Sequence, residues 1–365
     1  MSRVVLAISG GVDSSVAAWL LRESGHDVIG LFMRHGEQPD LTCQTPDMGG
    51  SRKKGCCTAA DAADARRVTE RLDIPFYALD FREEFGRIID YFVREYTAGR
   101  TPNPCIVCNT WLKFGKLLEY ADSVGAQFVA TGHYARLENT PDGQIALRTG
   151  RDPLKDQSYV LFGIEREKLP RLMFPVGQHN KDEIRRIARK VGFGTADKSD
   201  SQEICFVPDQ DHARFVRQHR GEFGLGQLDT SGEIVTSEGT VVGRHDGLER
   251  FTIGQRKGLG IALGEPHYVV RIEPDTRRVV IGAAEELARP NLTAAEANWL
   301  IDEPVEPFRC LVKVRYRSRP VAAVVEPLPG GRFRADFDEP FRGIAPGQAA
   351  VLYQSDRVLG GGWIE

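Results

Sequence analysis

The chain has 365 residues, 41% hydrophobic and 27% charged, with a mean hydropathy of -0.32. This fits neither a disordered chain nor a membrane protein and implies two or three compact domains. A net charge of -3 neither announces nor excludes a nucleic-acid partner, because phosphate contact needs only a local basic surface.

The first apolar run, residues 4–8, is too short for a signal peptide or a spanning helix, which points to the cytoplasm and to no membrane partner. Seven cysteines, an odd number without a secretory signal, do not read as a disulfide framework. They are thiols with chemistry to do or buried apolar residues. Residues 3–8 predict a strand, a glycine turn follows, and residues 13–23 have helical composition. Strands at 28–33, 76–79 and 128–131, with a helix at 59–72, continue an alternation that predicts a parallel sheet with helices on both faces. Residues 38–55, rich in Pro, Gly, Lys and Arg, read as a long loop.

Phe114, Leu117, Leu118 and Ala121 fall at i, i+3, i+4, i+7, predicting an amphipathic helix over 111–124 with Cys108 and Asn109 just before it. Residues 181–191 repeat the pattern with Ile184, Ile187, Ala188 and Val191 inward and Gly192 as the stop. The opposite face would carry Lys181, Arg185, Arg186, Arg189 and Lys190. After about residue 207 short β-rich runs appear between Gly, Asp and Pro turns, at 268–272 and 278–281. A break near 288–291 precedes strands at 310–316, 321–325 and 350–353. The expected architecture is α/β: a nucleotide-binding catalytic domain over 1–207, a central β-rich domain over 208–288, and a β-barrel over 289–365.

Ser9-Gly10-Gly11-Val12-Asp13-Ser14-Ser15 follows the first strand and opens a helix. Small residues let backbone N–H groups approach phosphate oxygens, and the helix N-terminus adds positive partial charge. Asp13 either orients the loop or helps hold Mg2+. A bare glycine pair would read as a capped strand-to-helix turn; the full string favours phosphate. It resembles the pyrophosphate-loop family, which cleaves ATP to AMP and pyrophosphate, and it lacks the lysine of GxxxxGK[ST]. The resemblance implies adenylation of a carboxylate or amide oxygen.

Residues 101–109, TPNPCIVCN, contain two prolines that stiffen the loop around Asn103. Cys108, expected beside a helix N-terminus, would there be favoured as a thiolate. Cys205 lies far away, in DSQEICF. Such a pair suits a sulfur relay in which one cysteine bears a persulfide and the other attacks it. Each cysteine alone reads more simply as a small buried residue.

These strings, with Thr131-Gly132-His133-Tyr134, Lys155-Asp156-Gln157-Ser158-Tyr159, the GQRKGLG of residues 254–260 and Pro346-Gly347-Gln348, occur in an order that resembles the bacterial tRNA-specific 2-thiouridylases over nearly the whole chain. The resemblance implies adenylation of O2 of the tRNA wobble uridine, U34, followed by replacement with a persulfide sulfur. It implies Cys205 as persulfide carrier and Cys108 as nucleophile. It further implies Ala7, Ile8, Ser9, Gly10, Gly11, Val12, Asp13, Ser14, Met33 and Gly132 at the ATP, and Asn103, Pro104 and Cys105 at the target base. His133, Lys155, Asp156, Gln157, Arg315, Tyr316 and Gln348 would contact tRNA. ATP with Mg2+, tRNA and an upstream persulfide donor protein are the expected cofactors and partners.

Two features depart from the family pattern. Asp is usual where this chain has Cys105, and the 38–55 loop is longer than usual, bringing Cys43, Cys56 and Cys57. Cys105, Cys108 and Cys205 also resemble the three-thiolate set that holds a [4Fe-4S] cluster in other tRNA thiolation enzymes. That alternative is not favoured, because a bare CxxC is a weak signal and a two-cysteine relay needs no metal. Zinc on Cys43, Cys56 and Cys57 is less favoured still. Another amide- or carboxylate-activating ligase would share SGGVDSS without needing Cys108 and Cys205; a noncatalytic tRNA-binding protein would need neither.

Lys313, Arg315, Arg317 and Arg319 alternate with Val314, Tyr316 and Ser318, so a strand there would present four positive charges on one face. Gln255, Arg256 and Lys257 lie between glycines, a charged turn suited to positioning RNA or ordering a lid. The basic face of 181–190 is a further candidate for the anticodon stem, weakened by Asp182 and Glu183.

Overall fold

A computed structural model describes residues 1–34, 58–200, 204–207, 209, 211–226, 228–261 and 263–365. The 38–55 loop with Cys43, and Cys56 and Cys57 after it, lie outside the described residues. The chain divides into two compact units, Met1–Arg87 with Val107–Gln210, and Ile88–Ile106 with Asp211–Glu365.

In the first unit β1 (Arg3–Ala7), β2 (Asp27–Arg34), β3 (Phe76–Asp80) and β4 (Phe128–Ala130) form a parallel sheet. A hairpin of β5 (Ala135–Asn139) and β6 (Ile145–Thr149) follows. The two-residue β7 (Leu172–Met173) then completes the order β3-β2-β1-β4-β7. Alternation along β1 sends Val4 and Leu6 into a core with Val12, Val16, Ala17, Ile184 and Ala188, and Val5 to the opposite face. Burial on both faces explains why these strands read as continuous apolar runs.

The helices are α1 (Val12–Glu23), α2 (Ala59–Arg71), α3 (Arg82–Thr97), α4 (Pro104–Val107), α5 (Leu117–Ser123) and α6 (Lys181–Val191). Asn180 and Glu183 form a capping box at the start of α6, and Gly192 ends it at φ 79°. The helix predicted over 111–124 buries Phe114, Leu117, Leu118 and Ala121 as expected. Its first part, however, is a π-helical stretch, Cys108–Lys116, that directly follows α4. Cys108 is therefore the fifth residue of a helical run beginning at Pro104, and Cys105, not Cys108, sits in the first turn where the dipole acts.

The second unit holds α7 (His212–His219) and a four-stranded sheet of β8 (Gly232–Thr236), β9 (Val241–His245), β10 (Tyr268–Glu273) and β11 (Arg278–Gly282), ordered β10-β11-β8-β9. Six further strands follow: β12 (Ala288–Trp299), β13 (Phe308–Lys313), β14 (Val321–Leu328), β15 (Arg332–Arg342), β16 (Ala349–Gln354) and β17 (Arg357–Ile364). They close into a barrel, β12 pairing with both β15 and β17, which removes the free edges.

Two expectations are corrected here. Residues 288–291 are not a break but the start of β12. The strand expected over 310–316 stops at Lys313, and residues 315–318 turn. The Ser318 backbone N–H donates to Arg315 O at 3.1 Å and the Ser318 hydroxyl to the same oxygen at 2.9 Å, so the four basic side chains do not line one strand face.

Candidate functional site

The loop between β1 and α1 is shaped by two close backbone approaches. Gly10 stands at φ 72°, and a Cβ there would lie 2.2 Å from Asp61 O, so only glycine fits. Gly132, just past β4, would with a Cβ meet Ser14 N at 2.8 Å. Gly11 caps α1, the Ser14 hydroxyl accepts from Ser9 N–H at 3.2 Å, and the Ser15 hydroxyl donates to Gly11 O at 2.8 Å. Ala7, Ile8 and Val12 are buried, so they contribute backbone, while Met33 is half-buried near the end of β2. The result is a ring of small residues at a helix N-terminus, the geometry that accepts phosphate.

Asp13 faces two donors. Lys181 Nζ lies 2.8 Å from Oδ1 and 2.9 Å from Oδ2, and the Tyr134 hydroxyl donates to Oδ1 at 2.6 Å. These bonds fix the direction of the Asp13 carboxylate in the first turn of α1. Burial first, and then the Asp13 charge, push the Tyr134 phenol above its ordinary range, which keeps it a donor.

Asp200 is the second node. It accepts from Lys155 at 2.7 Å, Lys181 at 2.7 Å and Arg185 at 3.2 Å. Burial acts to raise its carboxyl, but hydrogen bonds from Lys155 and Lys181 outweigh that and hold it below the usual range. Lys198 Nζ donates to Gly10 O at 2.9 Å, Asp61 Oδ1 at 2.6 Å and Asp64 Oδ2 at 2.8 Å.

The sequence pattern puts Lys181 and Arg185 on the basic face opposite the apolar stripe. Lys181 is instead buried and ion-paired, Arg185 donates to Ala196 O at 2.7 Å, and Arg189 pairs with Asp197. A signal was present: Lys181 precedes Ile184 by three and Ala188 by seven, on the buried stripe itself. Nothing comparable in the sequence marks Lys198.

The expected tRNA contacts fall differently. His133 is buried, bonded to Thr131 Oγ1 at 2.7 Å and packed against Phe114 and Phe174. Burial, with the Lys113 charge, drives its pKa well below the ordinary value, so it is a neutral core histidine. Asp156 accepts from Gly150 N–H and Ser158 N–H at 3.0 and 3.1 Å. Gln157 Oε1 accepts from Tyr134 N–H at 3.0 Å. Both shape the turn that carries Lys155.

Cys108 and Cys205 belong to the first unit and are half-buried. The Asn109 side chain donates to Val160 O at 3.0 Å, fixing the start of the π-helical stretch. Phe206 meets Phe85 edge-on with centroids 5.6 Å apart, which anchors the chain beside Cys205. Cys105 is exposed. Among the described residues no three His, Cys, Asp or Glu gather into a group suited to a metal ion.

In the second unit Gln348 Nε2 donates to Thr101 O at 2.9 Å and Pro102 O at 3.2 Å, and Thr101 N–H donates to Pro346 O at 2.8 Å. The Pro346-Gly347-Gln348 motif thus holds the loop leading to Asn103, Pro104 and Cys105. Arg315 donates to Ile253 O at 2.7 Å, next to the Gly254–Gly258 loop. Tyr316 is exposed, with Lys313 Nζ 5.8 Å from its ring centroid. Cys310 is a strand cysteine whose thiol is pushed up to about 12 by burial, so it behaves as a small apolar residue. No helix among the described residues is long and apolar enough to cross a membrane.

Comparison with known proteins agrees with this arrangement. Residues 2–209 match the family model described as tRNA methyl transferase HUP domain, residues 225–283 its PRC-barrel domain, and residues 289–364 the aminomethyltransferase beta-barrel domain. The tRNA-specific 2-thiouridylase MnmA of Rhodopirellula baltica is 53% identical over 388 residues, covering 100% of this chain and 96% of that protein. The proteins of the same name from Geobacter metallireducens and Carboxydothermus hydrogenoformans are 49% and 48% identical, each over 100% of this chain and 96% and 97% of their own length. With this identity sustained from end to end, the chain belongs to the tRNA-specific 2-thiouridylase family.

Proposed function

We infer that the protein uses ATP to replace O2 of the tRNA wobble uridine, U34, with sulfur. The observation that carries this reading is the Ser9–Ser15 loop, shaped for phosphate by Gly10 and Gly132, in one unit with Cys108 and Cys205. ATP would lie with its phosphates at the loop N–H groups, near the end of β2 at Met33. The uridine O2 attacks the α-phosphorus, pyrophosphate leaves, and the oxygen becomes part of an AMP leaving group.

Cys205 carries the sulfur as a persulfide received from an upstream donor protein. Its terminal sulfur attacks C2 and expels AMP. The Cys108 thiolate then attacks the Cys205 sulfur, so the carbon keeps the outer sulfur as a thiocarbonyl and a Cys108–Cys205 disulfide forms. The sulfane sulfur gains the two electrons that the thiols lose, and an external dithiol must reduce the disulfide before the next turnover.

Asn103, Pro104 and Cys105 meet the target base, on a loop that Gln348 holds. Cys105, in place of the usual Asp, does not supply a carboxylate there. Lys155, Arg315, Tyr316 and the exposed Arg256 and Lys257 serve tRNA binding, whereas His133, Asp156 and Gln157 support from within.

The test is incubation of the protein with tRNA, ATP and a persulfide source, followed by nucleoside mass analysis. We expect 2-thiouridine from the native protein and none from Cys108→Ser or Cys205→Ser, with tRNA binding retained in both. Full activity of Cys205→Ser would remove the relay, and a product other than 2-thiouridine would refute the proposed reaction.

A further inference from the structure

Residues 101–104, Thr-Pro-Asn-Pro, have little backbone with which to hold themselves in place. Two of the four are prolines, so the stretch has N–H donors only at Thr101 and Asn103, and its carbonyls need partners from outside. The barrel supplies them. Gln348 Nε2 donates to Thr101 O at 2.9 Å and to Pro102 O at 3.2 Å, and Thr101 N–H donates to Pro346 O at 2.8 Å. A side-chain amide has two hydrogens, and both are directed to the loop.

Gly347 makes this approach possible. It stands at φ 86°, and a Cβ there would lie 3.0 Å from Thr101 O and 3.1 Å from Thr101 N and Arg100 Cβ. The turn is fixed to the last strand of the barrel, because Gly347 N–H donates to Ile364 O at 2.9 Å and Ile364 N–H to Gln348 O at 2.8 Å. The flanks of the loop are set separately. Before it, Arg100 Nε donates to Glu95 Oε2 at 2.8 Å, and Tyr91 of α3 meets Trp363 of β17 with ring centroids 6.0 Å apart. After it, Ile106 N–H donates to Asn103 O at 3.2 Å. All these residues belong to the second unit, although residues 88–106 fall within the stretch expected as the catalytic domain.

We propose that Gln348, with Pro346 and Gly347, forms a positioning clamp for the target base, so that the barrel sets the rate of thiolation by fixing the loop that meets the uridine. This rests on the reading of Asn103, Pro104 and Cys105 as meeting the base. The Pro102 carbonyl shares one rigid peptide plane with the nitrogen and Cα of Asn103, so a donor that fixes that carbonyl orients Asn103 itself. Gln348 therefore acts through Thr101 and Pro102. Releasing the two carbonyls misplaces the base against the activating and sulfur-bearing groups, which slows the chemistry, whereas tRNA affinity is spread over many phosphate contacts.

The experiment compares the full-length native protein with Gln348→Met, which keeps the bulk and removes both donors. Amide hydrogen exchange, read by peptide mass, should be about fivefold faster or more in peptides covering 100–106, the loss of two hydrogen bonds. Peptides from β13 and β14 should exchange as before, which separates a released loop from a loosened barrel. In single turnovers at saturating ATP, tRNA and persulfide source, formation of 2-thiouridine should slow about tenfold or more. The Kd for tRNA should change less than about twofold.

Unchanged exchange over 100–106, or faster exchange with an unchanged saturating rate, overturns the proposal. A weaker tRNA affinity with the saturating rate kept would make Gln348 a tRNA contact and no clamp. Should Gln348→Met loosen the whole barrel, Gln348→Asn decides, since it keeps the amide but draws it back by one methylene. Faster exchange over 100–106 with a slower saturating rate then supports the clamp, and native values refute it. Absence of 2-thiouridine from the native protein would remove the reaction on which the proposal rests, a failure distinct from that of a variant which matches an active native enzyme.

Discussion

Tyr134 donates its hydroxyl to Asp13 Oδ1 at 2.6 Å, although 121 residues separate them in sequence. The bond joins the segment after β4 to the first turn of α1, and the Lys181 ammonium lies 5.7 Å from the Tyr134 ring centroid. Tyrosine, lysine and aspartate therefore orient one another beside the phosphate loop.

Tyr134→Phe keeps the ring and the cation above it but removes one donor from Asp13. Lys181 still holds both carboxylate oxygens, so the fold should survive with a loss near 1 kcal/mol. We expect the KM for ATP to rise about fivefold, the equivalent of that energy, with tRNA affinity unchanged. A pyrophosphate-exchange assay checks this; an unaltered KM would show that Asp13 needs only the lysine.

The acid limb of stability offers a second check. Burial opposes ionisation of Asp200, but the Lys155 and Lys181 hydrogen bonds outweigh it and depress its pKa. A depressed carboxyl stabilises the fold fully above its unfolded pKa, about 3.9, and loses that contribution as pH falls through the lower folded value. The unfolding free-energy difference between the native protein and Asp200→Asn should therefore be constant from neutral pH down to about 4 and shrink below it. Urea melts across that range measure it, and a difference independent of pH would mean that the charge of Asp200 contributes nothing.

Much of the catalytic unit is legible in the residues. The strands of the parallel sheet are apolar because both faces are buried, and Gly192 and the apolar stripe of 181–191 announce α6 and its end. Harder to read were charges that face inward. Lys181 looks like a solvent residue by type and proves buried by position, and His133 looks like a contact by motif and proves to be core. Periodicity registers apolar side chains, whereas an ion pair between residues 13 and 181 leaves no local trace. The helix Arg82–Thr97 is also written in the sequence, because Phe85, Ile88, Phe92 and Tyr96 recur at helical spacing and are buried. The basic run after Lys313 misled because alternation of type is not alternation of face once the chain turns.

That turn sets what Arg315→Ala should do. Arg315 gives a hydrogen bond to Ile253 O at 2.7 Å, and its guanidinium carbon lies 3.4 Å from where a Cβ on Gly343 would stand. It thus braces the chain beside Gly254–Gly258, whose Arg256 and Lys257 are exposed. If the brace positions those two side chains for phosphate, Arg315→Ala should lower tRNA affinity several-fold while leaving the slope of log affinity against log salt unchanged. Arg256→Ala and Lys257→Ala should each reduce that slope by about one. Binding measured over a salt series separates the two behaviours. A slope smaller by about one in Arg315→Ala would put its own guanidinium on a phosphate, and unchanged slopes in the other two would take the RNA away from this loop.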